Sequence, residues 1–203
     1  MTRWLSVIIL AVVLQLAAGG ALAEPVIFSG NGHAYEYVSA EGISWTDARD
    51  AAASSSYRGV AGHLATLTSQ SEQEFVVAQV LPTVANRAAW LGGEQDSTIV
   101  EPPNEDVGWR WITGELWDYT NWETGEPNNV IRGEIDEDYL AILLHKDKEW
   151  IDLWEPGTDG AAGYVVEYDV PVPGLTTLGS AILIAGLALL GVFLMRRRAP
   201  SAA

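Results

Sequence analysis

The chain has 203 residues, 48% of them apolar, with 27 acidic against 11 basic residues and no cysteine. The acidic residues all lie between Glu24 and Asp169, a region that holds only seven of the Lys and Arg residues. This charge argues against nucleic acid as a partner, because phosphate binding needs a basic surface, and it favours divalent cations or simple solubility. With about 145 residues, the region can bury roughly two-thirds of its unfolded surface, so we expect one domain whose core replaces disulfides.

The first 23 residues are typical of a secretory signal peptide. Arg3 precedes an apolar run at residues 4–16, and Ala21-Leu22-Ala23 has the small-residue pattern of a cleavage site. We therefore expect an exported protein whose mature chain begins at Glu24.

The segment that follows predicts a hairpin and two helices. Residues 26–38 alternate around a Gly-Asn-Gly turn, as in an opening hairpin. Ser44 is a hydroxyl cap for a first helix, which is rich in alanine. Ser69-Gln70-Ser71-Glu72 is a capping box for a second helix, which Pro82 ends.

A carboxylate, a proline and a carboxamide stand side by side at Glu126, Pro127 and Asn128. Calcium takes about six to eight oxygen ligands, and an acid with an amide carbonyl on one tight loop supplies two of them. An X-Pro bond is cis more easily than any other peptide bond, and a cis bond here would turn both flanking side chains toward one ion. The tripeptide thus predicts half of a calcium site, unless it only shapes a surface turn.

Several further motifs occur in the order found in one protein family. They are Gly62-His63-Leu64-Ala65-Thr66-Leu67, Trp90-Leu91-Gly92-Gly93, the W-x-W of Trp109 and Trp111, Thr113-Gly114-Glu115, Tyr119-Thr120-Asn121-Trp122 and the closing strand Tyr164 to Tyr168. With the E-P-N tripeptide, they make Val26 to Asp169 resemble C-type lectin domains, sugar-binding modules that use calcium. The resemblance implies an α+β fold over residues 24–169, with two helices packed on antiparallel sheets and a long irregular loop region that holds calcium and ligand.

The resemblance also implies a set of ligands shared by calcium and the bound sugar. Glu126 and Asn128 match the family's first pair. Glu137 stands where the family has its downstream acid, and Asp152 matches the acid of the following strand. The implied set is Glu126, Asn128, Glu137 and Asp152, with Glu134 and Asp138 as alternative calcium ligands. Auxiliary calcium positions of the family fall near Asp96, Glu105, Asn129 and Asp138.

Ile151 stands where the family has an asparagine that binds calcium and hydrogen-bonds the sugar. Isoleucine offers no side-chain oxygen, so we expect a weaker site unless water, Glu134 or Asp136 fills the position. The E-P-N order resembles mannose- and glucose-type lectins, because Glu accepts and Asn donates hydrogen bonds to vicinal hydroxyls. The alternative is a calcium-independent adhesion or matrix module that binds protein or self-associates, and Ile151 is its best support.

No catalytic group stands out in the sequence. A glycosidase needs two acids roughly 5–10 Å apart, and nothing singles out such a pair. His33, His63 and His145 are scattered along the chain, and neither G-x-S-x-G nor H-E-x-x-H is present. We interpret the histidines as structural and the chain as a binding module, not an enzyme.

Tryptophan is abundant, and most of it falls at positions that the family uses for its core. We expect packing roles for Trp90, Trp109, Trp111, Trp122 and Trp150. Trp117 and Trp154 are expected to be more exposed, and either one is a candidate for stacking on a sugar ring.

The end of the chain predicts a membrane or sorting segment. Residues 175–195 carry no charge over a length that crosses a hydrocarbon core of about 30 Å, and a basic tail at 196–203 is expected in the cytoplasm. With the proline motif at 170–174, this end resembles a PEP-CTERM tail, which implies processing by an exosortase and release to the extracellular matrix. Val172 replaces the family's glutamate, so a plain single-span anchor is the rival.

Overall fold

The computed structural model describes residues 24–96, 98, 106–130, 136–145, 147–155 and 161–171. The predicted signal peptide, the predicted spanning segment 175–195 and the basic tail lie outside these residues, as do Glu105 and Glu134. The two helices that are described have ten residues each, and neither is long and apolar enough to cross a membrane.

Eleven elements follow one another in the described part of the chain, and both helices come early. The elements are β1 (Val26–Ile27), β2 (Ala34–Ser39), α1 (Trp45–Ser54), β3 (Ser56–Tyr57), β4 (Val60–Leu64), α2 (Gln70–Gln79), β5 (Ala88–Gln95), β6 (Trp109–Trp111), β7 (Tyr139–Leu143), β8 (Trp150–Leu153) and β9 (Ala161–Tyr168). The opening hairpin of β1 and β2 is therefore confirmed.

Strand β9 ties the end of the described domain to its start. It pairs antiparallel with β2, where Tyr35 lies opposite Glu167, and antiparallel with β4, where His63 lies opposite the same residue. The predicted pairing of the closing strand with the opening one is confirmed. β9 also pairs with β5, and this pairing is parallel because the direction of β9 is set by its pairing with β2. The sheet is therefore mixed, and the prediction of antiparallel sheets is wrong for this pair of strands.

Both helices begin where their hydroxyl caps predict. The Ser44 hydroxyl accepts the N–H of Asp47 at 3.0 Å, and α1 starts at the residue after Ser44. The Ser69 hydroxyl accepts the N–H of Glu72 at 3.3 Å at the start of α2. Each bond satisfies one of the amide groups that a first helical turn leaves without a partner inside the helix.

The Glu72 side chain departs from the predicted capping box. Instead of returning to the cap residue, its carboxylate accepts the N–H of Thr68 at 2.7 Å and the Tyr35 hydroxyl at 2.5 Å. Glu72 is 2% exposed and Tyr35 is fully buried. A buried tyrosine hydroxyl needs a partner, so α2 is tied to β2 by a buried acid.

The core consists of two clusters of buried side chains, one on each face of the sheet. Trp90 and Leu91 are neighbours on β5 and belong to different clusters, as alternation along a strand requires. The Leu91 cluster also contains Trp109, Trp111 and Trp150, each no more than 6% exposed. The predicted packing roles of these four tryptophans are confirmed.

Trp117 is more buried than the sequence predicts. The centroid of its ring lies 4.5 Å from that of Trp111 and 5.7 Å from that of Trp109. Trp122 is also half-buried, and its ring centroid lies 5.9 Å from that of Trp150. Both rings hold the irregular chain after β6 against the sheet, so Trp117 has a packing role, and sugar stacking by this half-buried ring stays a prediction.

Candidate functional site

The long irregular loop between β6 and β7 runs beside the first residue of β8. The N–H of Glu123 donates to the Trp150 carbonyl at 2.8 Å, and the N–H of Trp150 donates to the Asn121 carbonyl at 2.8 Å. This pairing brings the next part of the loop, from Glu126 onward, beside Asp152, which lies two positions further along β8.

Glu126 and Asn128 face each other across Pro127. The Glu126–Pro127 peptide bond is cis, and Asn128 Nδ2 donates to Glu126 Oε1 at 2.6 Å. The N–H of Glu126 donates to the Glu123 carbonyl at 2.9 Å, which closes a tight turn before the proline. The first two predicted ligands therefore lie on one side of the loop.

Asp152 is 2% exposed and holds the loop by its backbone. Its Oδ1 accepts the N–H of Asn128 at 3.1 Å, and its Oδ2 accepts the N–H of Asn129 at 2.8 Å. A buried carboxylate needs such partners. The predicted acid of β8 thus reaches the E-P-N loop, and the sequence alone gave no indication that backbone amides make the contact.

Glu137 is 6% exposed and is tied to the next residues of the same loop. Its Oε2 accepts the N–H of Val130 at 2.9 Å, and its own N–H donates to Asn129 Oδ1 at 3.3 Å. The structure therefore gathers all four predicted ligands around one loop.

Glu126 carries its charge in surroundings that disfavour it. Burial, the hydrogen bond and charge of Asp152, and the charge of Glu137 raise the pKa of Glu126 from 4.5 to about 8, although the Asn128 amide opposes the shift. Its Oε2 atom is buried and has no hydrogen-bond partner among the described residues. An acid placed among acids favours a nearby positive charge, which a divalent cation would supply.

Two more buried carboxylate oxygens lie just before β7. Oδ1 of Asp136 and Oδ1 of Asp138 have no hydrogen-bond partner within the part of the chain that the structure describes. Burial and the charge of Asp136 raise the pKa of Asp138 to about 6. The acidic run at 134–138 is the sequence signal for both residues. Asp136, which the sequence suggests only as a substitute for the ligand missing at Ile151, is therefore a stronger candidate for binding a cation.

Asp96 is engaged with other residues. Its Oδ1 accepts the N–H of Thr98 at 3.1 Å and the Thr98 hydroxyl at 2.6 Å, and its Oδ2 lies 3.5 Å from Arg110 Nη1. Of the auxiliary positions that are described, Asp138 is the one whose buried carboxylate oxygen has no hydrogen-bond partner among these residues.

Ile151 packs away from this site. Trp150 and Asp152 are buried on one face of β8, whereas Ile151 and Leu153 are half-buried on the other, against the cluster that contains Trp90. The side chain at position 151 therefore contributes hydrophobic packing and no oxygen ligand.

The residues present fit a hard cation. A buried polar atom without a partner costs roughly 1–3 kcal/mol, and more when it is charged, whereas calcium binds such oxygens in flexible geometry. Among the described residues, the carboxylate oxygens of Glu126, Glu137 and Asp152 do not form a set that lies within 4.8 Å of one another. Asp152 and Glu137 accept backbone N–H groups, and Glu126 Oε2 is the oxygen of this set that is buried without a hydrogen-bond partner among these residues.

Comparison with known proteins identifies the fold. No family model matches the chain. Halomucin from Haloquadratum walsbyi is 32% identical over 160 residues, which are 72% of this chain, and the chain spans only 2% of that protein's length. C-type lectin lectoxin-Lio1 from Erythrolamprus poecilogyrus is 29% identical over 154 residues, which cover 75% of this chain and 86% of the lectoxin.

Two solved structures share the architecture. The cow C-type carbohydrate-recognition domain of CD23, crystallised in the presence of a GlcNAc2Man3 oligosaccharide, has a TM-score of 0.50 at 22% identity and covers 69% of this chain and 90% of that domain. The C-type lectin CEL-I from Cucumaria echinata has a TM-score of 0.50 at 21% identity and covers 66% of this chain and 89% of CEL-I.

These matches establish a C-type lectin-like α+β fold with two helices and a mixed sheet. The fold expected from the sequence motifs is confirmed. The lectoxin, the CD23 domain and CEL-I are lectin domains, not enzymes, which agrees with the prediction of a binding module.

Proposed function

We propose that this chain is a calcium-dependent carbohydrate-binding module of the mannose and glucose type, carried on an exported bacterial surface or matrix protein. The observation that carries the proposal is the Glu126 carboxyl, which lies against Asp152 with a raised pKa and a buried oxygen that has no partner among the described residues. The similarity to a C-type lectin over most of both chains supports the carbohydrate part of the proposal.

Four side chains would hold the ion, namely Glu126, Asn128, Glu137 and Asp152. The oxygen that supports this proposal is Glu126 Oε2, which is buried and has no hydrogen-bond partner among the described residues. Bound calcium supplies coordination positions for two vicinal hydroxyls of a sugar. Asp136 and Asp138 offer further oxygens in place of the ligand that Ile151 lacks, and Glu134 remains a proposed alternative.

Glu126 and Asn128 would also orient the sugar. The Asn128 amide donates to the Glu126 carboxylate at 2.6 Å, so the two groups are close enough to share one pair of adjacent hydroxyls. Glu126 would accept from one hydroxyl and Asn128 would donate to the other. This order of acceptor and donor is the basis for proposing a mannose- or glucose-type glycan or exopolysaccharide.

Thermal unfolding of the full chain tests the calcium part of the proposal. Saturating calcium at about 100 times its Kd stabilises a one-site protein by about 2.7 kcal/mol, which raises Tm by several degrees relative to EGTA. Asn128→Ala is expected to abolish most of this rise. Thr124→Ala is the matched control, because Thr124 is exposed on the same loop and lies outside the proposed ligand set.

A calcium-independent module is the second candidate, and the packing of Ile151 on the far side of β8 favours it. In that case the domain binds protein or itself through the same fold. A Tm that is identical in calcium and in EGTA, for wild type and for Asn128→Ala alike, would support this candidate over the lectin.

We also propose export and anchoring or processing at the C-terminus. The support is the sequence alone: the signal-like residues 1–23, the apolar segment 175–195, the arginines that follow it and the PEP-CTERM-like proline motif. The proposed partners are the membrane and an exosortase-like protease, and nucleic acid is not among them. Mass spectrometry of the mature protein is expected to show a start at Glu24, and an intact end at Ala203 would contradict processing.

A further inference from the structure

Two of the chain's three histidines come together with two acids at one end of the sheet. Strand β9 lies between β2 and β4, and His63 on β4 is directly opposite Glu167. Ala34 is opposite Tyr168, so His33 and Asp169 extend the same register by one residue. Because side chains alternate along strands, these four residues lie on one face, and Tyr168 points to the other.

The distances join the four side chains into one cluster. Asp169 Oδ1 lies 3.3 Å from His33 Nδ1 and 3.4 Å from His63 Nε2, and Glu167 Oε1 lies 2.6 Å from His33 Nδ1. In the part of the chain that the structure describes, His33, Glu167 and Asp169 are the one group of three whose ligand atoms all lie within 4.8 Å of one another. His63 lies beside the same Asp169 oxygen but outside this group of three.

The orientation of His63 directs its Nε2 atom toward Asp169. Its Nδ1 lies 2.9 Å from the Leu64 carbonyl oxygen, which can only accept a hydrogen bond, so Nδ1 carries the proton. In the neutral ring, Nε2 then carries a lone pair that faces the Asp169 carboxylate oxygen. Two hydrogen-bond acceptors therefore face each other. Histidines that bind metal use one nitrogen for the ion and donate from the other to a carbonyl or carboxylate in this way.

The spacing of the donors suits a tetrahedral ion. With metal–ligand bonds of about 2.0–2.1 Å, tetrahedral ligand atoms lie about 3.3 Å apart. The distance from Asp169 Oδ1 to His33 Nδ1 is 3.3 Å, and the contact between His33 and Glu167 would have to widen by about 0.7 Å. A water molecule would supply the fourth position.

The burial and the charge of these side chains also suit a metal ion. Glu167 is 2% exposed and is held in place by the Thr66 N–H at 2.8 Å and the Tyr35 hydroxyl at 3.0 Å, whereas the Asp169 side chain is 58% exposed and gives access from solvent. The charges that face His33 are Glu167, Asp169 and Glu72.

We propose that His33, Glu167 and Asp169 form a site for a divalent transition-metal ion of the zinc type, separate from the calcium site, with His63 beside Asp169 as an outer partner. Imidazole nitrogens with carboxylates suit zinc, whereas calcium takes oxygen ligands only. The ion would cross-link the start of β2 and the end of β9 in a chain that has no cysteine. Its function would be to stabilise the junction of the first and last strands, in place of disulfides.

Zinc titration of the full chain tests this proposal. The protein is purified without a polyhistidine tag, stripped with EDTA, supplied with excess calcium and titrated with Zn2+ against a chromophoric chelator. Wild type is expected to bind one equivalent, and His33→Ala and Asp169→Asn are each expected to weaken binding at least about tenfold. Asp169→Asn is the milder change, because this side chain is largely exposed.

Two controls separate this site from the other metal-binding groups of the chain. His145→Ala removes the one histidine outside the cluster, and Glu126→Gln removes an acid of the calcium site; both are expected to leave zinc affinity unchanged. Zinc is also expected to raise Tm in wild type and not in Asp169→Asn. Zinc binding that is absent, or that survives both His33→Ala and Asp169→Asn, would overturn the proposal and leave the cluster as an ion-pair network.

Discussion

The acids around the E-P-N loop differ in how their charge is compensated. Asp152 and Glu137 are almost fully buried and accept backbone N–H groups of residues 128–130. Glu126 accepts the Asn128 amide with one oxygen, and the charged groups that shift its pKa, Asp152 and Glu137, are acids. Its charge therefore destabilises the fold unless a cation is bound.

This difference predicts a pH dependence in EGTA. The folded-state pKa of Glu126 is raised from 4.5 to about 8, so the folded protein holds this proton more tightly than the unfolded chain. The stability linked to the proton is fully present below pH 4.5 and is lost as the pH rises through about 8. The side chain in Glu126→Gln has no proton to lose, so the difference between its Tm and that of wild type is expected to grow as the pH rises through this window. At pH 8 in EGTA, the Tm of Glu126→Gln is expected to be higher than that of wild type.

Calcium is expected to reverse the order of the two proteins. At pH 8 with saturating calcium, wild type gains stability from the ion, and Glu126→Gln gains little because it lacks a charged ligand. Glu74→Gln, on the exposed side of α2, controls for the loss of one negative charge. A Glu126→Gln variant that is less stable than wild type at pH 8 in EGTA would contradict the electrostatic account.

For individual residues, the sequence predicts which side chains come together but not which atoms make the contacts between them. The resemblance placed Glu126, Asn128, Glu137 and Asp152 in one site, and the structure gathers them around one loop. The contacts between the acids and the amides of residues 128–130 depend on the path of the loop, which no residue type encodes. The orientation of Ile151 likewise depends on the register of β8.

Among the elements, helix α2 depends on one buried acid. Glu72 accepts hydrogen bonds from Thr68 at the helix start and from Tyr35 on β2. Its removal would leave the Thr68 amide without its partner, at a cost of roughly 1–3 kcal/mol. It would also take from the buried Tyr35 hydroxyl the shorter of its two contacts with acids, the other being Glu167 at 3.0 Å. The Ser69 cap, in contrast, makes one hydrogen bond at the surface.

Urea denaturation of variants tests this ranking. Ser69→Ala is expected to lower the free energy of unfolding by about 1 kcal/mol, as for other helix caps. Glu72→Ala is expected to lower it by about 3 kcal/mol. Glu74→Ala, an exposed acid two positions away, is expected to change it by less than about 0.5 kcal/mol. Equal effects of the two glutamate variants would show that the buried contact contributes nothing.

The elements were predictable to the extent that their signals are local. Ser44 and Ser69 mark the two helix starts, and the structure uses both hydroxyls as caps. The inward turn of Glu72 was not predictable, because the competing partner, Tyr35, is distant in sequence. The parallel pairing of β5 with β9 was missed for a similar reason: alternation tells which face a residue occupies and not which strand lies beside it.

The whole molecule relies on its closing strand and on two packed clusters. All eight residues of β9 are buried, and the strand is hydrogen-bonded to β2, β4 and β5. The tryptophans of the larger cluster support the loop that carries Glu126. Because the loop, the sheet and the ends of the domain share these contacts, we expect the binding site to be lost with the fold in one cooperative transition.

Glycan binding by the full chain, measured on an array in calcium and again in EGTA, tests the central claim most directly. We expect binding to mannose- or glucose-type glycans in calcium, its loss in EGTA, its return when calcium is restored, and its absence in Asn128→Ala but not in Thr124→Ala. Binding that survives EGTA, or that Asn128→Ala retains, would contradict a calcium site at Glu126 and Asn128 as the means by which this chain holds sugar.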